Sequence, residues 1–287
     1  MDCVRAGWFT EINEQWPGIA NSLKVEEVLL EQKSEFQDVM VFRSASFGNV
    51  LILDKVIQLT ERDECAYQEM ITHLPMFAHP DPKVVLIIGG GDGGCLREVV
   101  KHKGVEKVFI CEIDQVVIDA GKKYFPGVAS AWDDPRVTLV TNDASKFIQS
   151  YENYFDVIVC DSSDPVGPAE PLFGEKFYLD MHKSLRPGGR VCCQGESMWQ
   201  HKDLIKKLVT KCGKPFRFAE YATTQIPTYP CGQIGLLVCS KDGVDVKSAK
   251  TPSRRDEDVL KTCNYYSPEL HSAAFVLPAF LTRALNE

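Results

Sequence analysis

The chain has 287 residues, 44% hydrophobic and 25% charged, a balance that allows one large core and a smaller companion domain. Its formal net charge of -8 argues against a nucleic-acid partner, which usually meets a basic stripe, and tolerates a cationic one. No apolar run reaches the ~18 residues of a membrane span, and Asp2 to Glu14 is too polar for a secretory signal, so a soluble cytoplasmic protein with no membrane partner is expected.

The first sixty residues read as strands joined by tight turns. Glu26 to Gln32, Asp38 to Arg43 and Asn49 to Leu59 are rich in Val, Ile, Leu and Phe, with turn chemistry at Ser46-Phe47-Gly48-Asn49. They predict a small antiparallel β-hairpin domain over 1–60. Thr60-Glu61-Arg62-Asp63 then starts a helix that ends near His79-Pro80.

The texture changes at Lys83. Apolar runs at Val84–Ile88, Val108–Cys111, Val137–Val140, Val157–Cys160 and Val191–Cys193 alternate with helical stretches such as Gly94–His102 and Gln115–Tyr124. Short strands apolar on both faces, separated by helices, predict a parallel α/β sheet covered on both sides. The fold class expected for 61–287 is therefore Rossmann-like. Pro187-Gly188-Gly189 reads as a helix stop, Gln233–Ser240 as part of a late edge pair, Asp242–Asp258 as a polar surface excursion, and Ser267–Ala284 as helix. Among the 11 cysteines no Cys-x-x-Cys spacing occurs; Cys111, Cys160, Cys192, Cys193 and Cys239 lie in apolar runs and read as reduced core thiols.

Gly89-Gly90-Gly91-Asp92-Gly93-Gly94 follows a strand and opens a helix, which marks a nucleotide site. Asp92 qualifies that reading. A carboxylate at ~4 Å and an effective dielectric near 20 is worth roughly 4 kcal/mol against a phosphate and as much in favour of a cation. The loop thus points away from a dinucleotide and towards a nucleoside carrying a sulfonium or an amine. Glu112, about twenty residues on at the end of the second strand, has the position of a ribose ligand. Asp143, after the third strand, is placed either to take an adenine amino group or to cap a helix.

Asp161 and Asp164 follow the fourth strand in Cys160-Asp161-Ser162-Ser163-Asp164-Pro165, on a loop also stiffened by Pro168. Alone they fit turn and cap roles equally well. Together with Asp92, Glu112 and Asp143 they gather negative charge at one sheet edge, which requires a cationic ligand to offset it.

With these residues the sequence resembles the polyamine aminopropyltransferases of the spermidine synthase family. The segments that carry the resemblance are Trp16-Pro17-Gly18, Tyr67-Gln68-Glu69-Met70, the Gly89–Gly94 loop with Ile87-Ile88, Asp161–Pro165, and Ile226-Pro227-Thr228-Tyr229-Pro230. The resemblance implies a methyltransferase-like domain behind an N-terminal β-domain, and a homodimer built partly with the latter. It implies transfer of an aminopropyl group from decarboxylated S-adenosylmethionine, a co-substrate and not a cofactor, onto putrescine, with no metal. Asp161 would be the proton acceptor; Gln37, Gln68, Asp92, Glu112, Asp143 and Ala144 would hold the donor; Trp16, Tyr67, Asp161, Asp164 and Tyr229 would line the diamine channel. Asn142 and Ala144 stand where many members have glycines.

The diamine's far ammonium needs its own acidic partner, for which Glu196 and Glu220 are the sequence candidates. Gln225–Cys231 is a candidate lid. Rival readings are a spermine synthase with a longer acceptor and a putrescine N-methyltransferase. From other classes come an NAD-dependent dehydrogenase, which Asp92 opposes, and a nucleoside sensor without activity.

Overall fold

The computed structural model describes residues 6–165, 167–248 and 254–287, without the side chains of 167–168 and 254–256. The ring of Pro168 and the middle of the Asp242–Asp258 excursion therefore fall outside the described residues.

The N-terminal part is a five-stranded antiparallel sheet in chain order: β1 (Trp8–Ile12), β2 (Ala20–Lys33), β3 (Asp38–Ser44), β4 (Gly48–Leu53) and β5 (Val56–Thr60). Two of these strands escape the sequence reading. β1 is an edge strand whose single fully buried residue is the acid Glu11, with Trp8 and Ile12 exposed, so its residue types run against its burial. Asn49–Leu59 is not one strand but two, broken by Asp54 and Lys55, both at positive φ (46° and 68°). That is the backbone a two-residue hairpin turn requires, here made without the glycine that usually announces it.

Seven strands form the second sheet: β6 (Val84–Gly89), β7 (Lys107–Glu112), β8 (Val137–Thr141), β9 (Phe155–Asp161), β10 (Leu185–Gln194), β11 (Phe218–Gln225) and β12 (Gln233–Ser240). Their order is β11-β12-β10-β9-β6-β7-β8, with β12 antiparallel to both its neighbours and β6 to β10 parallel. Alternate residues of the central strands feed two cores. Val85, Ile87, Val108 and Ile110 face one layer, while Leu86, Ile88, Phe109 and Cys111 face the other. This is the doubly covered sheet that the unbroken apolar runs predict, and its arrangement is methyltransferase-like.

The helices are α1 (Glu64–Ala78), α2 (Gly94–Lys101), α3 (Gln115–Tyr124), α4 (Ala144–Phe147), α5 (Glu175–Ser184), α6 (Lys202–Gly213), α7 (Arg254–Leu260), α8 (Pro268–Ala273) and α9 (Ala279–Asn286). Three expectations change here. α5 stops at Ser184, and Pro187-Gly188-Gly189 lies inside β10 at a register shift between Leu185 and Arg190, not at a helix end. Ser267–Ala284 is two helices parted at Val276-Leu277-Pro278, because proline has no amide to continue the first. The polar excursion includes α7 and a buried Val246, whose carbonyl is bonded by His271 at 2.7 Å.

From β6 the chain moves outward through β7 to β8, then returns across the sheet to β9 on the other side of β6. The crevice between β6 and β9 is therefore the switch point where open α/β sheets bind ligands. The two sheets are joined by an apolar cluster in which Val39, Val41, Leu51 and Leu59 pack on Val117, Ala120, Phe125 and Val128.

Glu69 ties the C-terminal segment to this frame. Its buried carboxylate, on α1, accepts the backbone amides of Asn264, Tyr265 and Tyr266, each at 2.8 Å. Three amide donors lose their partner in Glu69→Ala, so denaturant unfolding should show a loss of roughly 3–5 kcal/mol. A loss under about 1 kcal/mol would mean that water replaces the carboxylate freely.

Candidate active site

A cavity of about 520 Å³ opens at the carboxyl ends of β6 to β10, roofed by residues of the N-terminal sheet. Trp16, Gln37, Tyr67, Gln68, Asp92, Glu112, Asp143, Ala144, Asp161, Asp164 and Tyr229 all line it. Residues from both sheets and from connections far apart in the chain thus meet in one space.

On the β6–β8 side, Asp92 turns back into its own loop. Its Oδ1 accepts the amide of Gly94 at 2.6 Å, and both its oxygens lie 3.2 Å from Nε2 of Gln68. The first amide of α2, which a pyrophosphate would use, is therefore already taken. A Cβ at Gly94 would meet the Gln68 side chain and push it off its contact with Asp92. Glu112 spans the loop and its own strand, accepting the amides of Gly91 at 3.2 Å and Asp114 at 2.8 Å. Asp143 caps α4 through the Ser145 amide at 2.9 Å, so its capping role is realised; it also lines the cavity beside Ala144.

Gln37 reaches the site from the turn between β2 and β3 because Asp114 holds it. Asp114 Oδ2 accepts Nε2 of Gln37 at 2.9 Å and the hydroxyl of Ser34 at 2.7 Å, while its Oδ1 caps α3. Asp114 is a positioning residue that the sequence does not single out. Asp63 is another. It accepts the Thr60 hydroxyl at 2.6 Å and both the amide and hydroxyl of Thr228 at 2.9 and 2.7 Å. This fixes the Gln225–Cys231 loop, and Tyr229 is further tied to the Gln58 carbonyl at 2.7 Å.

On the β9–β10 side, the hydroxyl of Tyr67 donates to Oδ1 of Asp161 at 2.8 Å. The thiol of Cys95 lies 3.4 Å from Oδ2. Asp161 is the last residue of β9 and pairs in register with Gly89, which is how the glycine loop and this carboxylate come together. Tyr67 and Tyr229 face each other with ring centres 5.7 Å apart. Deeper in, Nε2 of Gln194 bridges Asp164 at 3.4 Å and Glu196 at 3.3 Å. Trp16 closes this end, buried, and its indole N–H has no hydrogen-bond partner among the described residues. Glu196 lines the cavity, whereas Glu220 lies on the edge strand β11, half-exposed and paired with Lys247 at 3.0 Å. Of the two candidates for the far ammonium, only Glu196 is in place.

These carboxyl groups are surrounded by protein, and their acidities show it. Burial pushes Asp92 up to about 7, helped by Asp161, and Glu112 up to about 7 against the pull of two backbone amides. Asp161 is raised by burial, opposed by the bonds from Tyr67 and Cys95; Asp164 is raised well above its usual range by burial and by Glu196. Glu11 on β1, absent from the sequence reading, is likewise pushed by burial to about 7, behind this wall. Asp143 behaves oppositely: despite some burial, Ser145 and Lys146 hold it below the usual range. A second acidic group, Glu98 with His73 and Cys263, lies outside the cavity lining, and its oxygens are taken by Lys101 at 2.6 Å and Arg97 at 2.8 Å.

Fold and site together define a transferase of the methyltransferase-like class with an acidic cavity at the sheet's switch point. A family model described as the spermine/spermidine synthase domain matches residues 64–249, and one described as the spermidine synthase tetramerisation domain matches residues 7–61. The chain belongs to the spermine/spermidine synthase family. It is 53% identical to a spermidine synthase of Dictyostelium discoideum over the whole of both chains. It is 52% identical to spermidine synthase 1 of Pisum sativum, covering 99% of this chain and 87% of the relative. Among solved structures, a spermidine synthase in complex with the transition-state analogue AdoDATO superposes with a TM-score of 0.93 at 35% identity, covering 99% of this chain and 96% of that one. The spermidine synthase of Thermotoga maritima superposes with a TM-score of 0.90 at 35% identity, covering 97% and 94%.

A cationic nucleoside must meet ionised carboxylates, so below pH 7 its binding has to expel protons from Asp92 and Glu112. Calorimetry should show affinity for a sulfonium nucleoside falling by up to about tenfold per pH unit per group below pH 7, and levelling above pH 8. A neutral thioether nucleoside should show a much flatter profile, and Asp92→Asn should remove part of the slope. Identical profiles for the two ligands would contradict the assignment.

Proposed function

We propose that the chain moves the aminopropyl group of decarboxylated S-adenosylmethionine onto putrescine, giving spermidine and methylthioadenosine in polyamine biosynthesis. The observation that carries this reading is Asp161, bonded by Tyr67 and sharing one cavity with Asp92 and Asp164. Such a site suits two positive groups, a sulfonium on one side and an amine on the other.

In this reading Asp92 and Gln68 take the aminopropyl part of the donor, Gln37 and Glu112 the nucleoside sugar region, and Asp143 with Ala144 the adenine. Tyr67, Tyr229 and Trp16 flank the methylenes of the diamine, and Asp164 holds it with Asp161. Glu196, bridged to Asp164 through Gln194, receives the far ammonium. A buried cation left without such a partner would be costly.

The reaction is a single displacement. The amine lone pair forms a bond to the carbon next to sulfur, the carbon–sulfur bond breaks, and the thioether leaves neutral. The sulfonium is already activated, so the reading needs neither metal nor cofactor. Alignment in the cavity contributes on the order of 7–11 kcal/mol. Proton removal is harder. An amine near 10.4 and an aspartate near 3.9 differ by about 6 units, or roughly 9 kcal/mol. Burial narrows that gap from both ends, lowering the amine and raising Asp161. Burial also keeps the Tyr67 phenol protonated, so it serves as a donor that steadies the carboxylate while the proton arrives.

The N-terminal sheet supports self-association, because its strands expose Trp8, Ile12 and Val28. A homodimer in the cytoplasm is the assembly we infer, in keeping with the reduced, buried thiols of the core.

Putrescine incubated with the decarboxylated donor should gain one aminopropyl unit by mass; gain of a methyl unit from the undecarboxylated donor would establish the methyltransferase reading instead. Asp161→Asn should lower kcat by about 10²–10⁴ while leaving donor affinity within a few-fold. An equal loss of both would make Asp161 a binding group only.

A further inference from the structure

His201 lines the cavity beside Glu196, the acid that the proposed reading assigns to the far ammonium. It immediately precedes α6 and lines the cavity with Glu196 and Gln15. Its Nε2 lies 3.0 Å from the carbonyl oxygen of Gln15, in the connection between β1 and β2. Its Nδ1 lies 3.1 Å from Oε2 of Glu196, in ion-pair range but outside hydrogen-bond geometry. Both ring nitrogens therefore face oxygens that only accept. A neutral imidazole carries one N–H and would turn a lone pair towards one of those oxygens; an imidazolium suits both.

The surroundings reinforce this. Glu196 after β10 presents negative charge to the ring, and Asp164 from the loop after β9, itself held up by burial, Glu196 and Glu11 of β1, adds to it once ionised. Glu14 and Lys202, on the adjoining segments, are exposed. The nearby Glu196 carboxylate holds His201 above its ordinary value of 6.5 against the effect of burial.

We propose that His201, as imidazolium, is a built-in stand-in for the far ammonium of the acceptor, and that a diamine displaces its charge as it binds. The inference rests on the proposed aminopropyltransferase reading. With the channel empty, His201 offsets Glu196. When the diamine's second ammonium arrives, two cations compete for Glu196, and His201 releases its proton to solvent. Recognition of the second amine is thereby coupled to pH, and His201 is a specificity-determining residue: a monoamine has nothing with which to displace it.

The sign follows directly. Diamine binding favours the neutral ring, so affinity rises with pH until the ring in the free enzyme is neutral, which lies above pH 6.5 because that ring is held up. Below that point the dissociation constant for putrescine should change by up to about tenfold per pH unit. Butylamine, of the same length with one amine, should lack this component.

The test is calorimetry of putrescine and of butylamine in the presence of methylthioadenosine, in two buffers of different ionisation enthalpy, from pH 6 upward. At about pH 6 to 7 putrescine should release close to one proton more than butylamine, because deprotonation of the attacking amine is common to both. In His201→Gln that difference should vanish, and putrescine should bind more tightly at pH 6 than to the unmodified enzyme. Unchanged affinity for methylthioadenosine checks that the variant is folded. If that variant does not fold, the same comparison is made with His201→Asn. Equal proton release by the two amines, or a His201→Gln profile with the original slope, would overturn the proposal. Absence of any aminopropyl transfer to putrescine would instead strike the reading on which it rests.

Discussion

Carboxylates without a resident cation are expensive to enclose, and this chain encloses several in one cavity. Asp92, Glu112, Asp161 and Asp164 are all pushed upward by burial, which is how the molecule limits the cost while the cavity is empty. The same expense gives selectivity. A cationic ligand recovers the charge that burial suppresses, whereas an anion would add to the repulsion. Asp92 states this most directly: by taking the Gly94 amide it removes the donor a phosphate needs and puts a negative group in its place.

Other acids in the chain do structural work, and they hold the site in shape. Asp114 bonds to Gln37 and Ser34 across 77 and 80 residues of chain, joining the N-terminal sheet to the edge of the nucleotide pocket. Asp63 joins β5, α1 and the loop that carries Tyr229. Glu69 anchors the C-terminal segment one residue from Gln68 and two from Tyr67. In each case a carboxylate collects two or three donors, an arrangement that fixes direction as well as distance. These three structural acids thus hold the frame on which the acids of the cavity stand.

The parallel sheet is legible in the sequence because a strand buried on both faces must be apolar throughout, and helices must separate such strands. The glycine loop and Asp161 are legible for a related reason: ligand groups in this architecture stand at strand carboxyl ends. What escapes the sequence has an equally physical cause. β1 is hidden because its one fully buried residue is the acid Glu11 while Trp8 and Ile12 are exposed, and the β4–β5 turn because Asp54 and Lys55 adopt a conformation usually left to glycine or asparagine. Pro187-Gly188-Gly189 misleads because a bulge and a helix end ask for the same residues. His201 and Gln15 are 186 residues apart, and Thr228 and Asp63 are 165 apart, so no local pattern reveals that they meet. Glu196 and Glu220 look alike as strand-end and strand acids; only the strand order puts one in the cavity and the other at the far edge.

Enclosed negative charge awaiting a positive ligand is the claim on which all of this depends, and carbon-13 NMR of the carboxyl groups tests it most directly. In the free protein the signal assigned to Asp92 through Asp92→Asn should titrate near pH 7, and with a sulfonium nucleoside bound it should stay ionised down to the ordinary aspartate range. Titration of Asp92 near pH 4 in the free protein, unmoved by that ligand, would contradict the account.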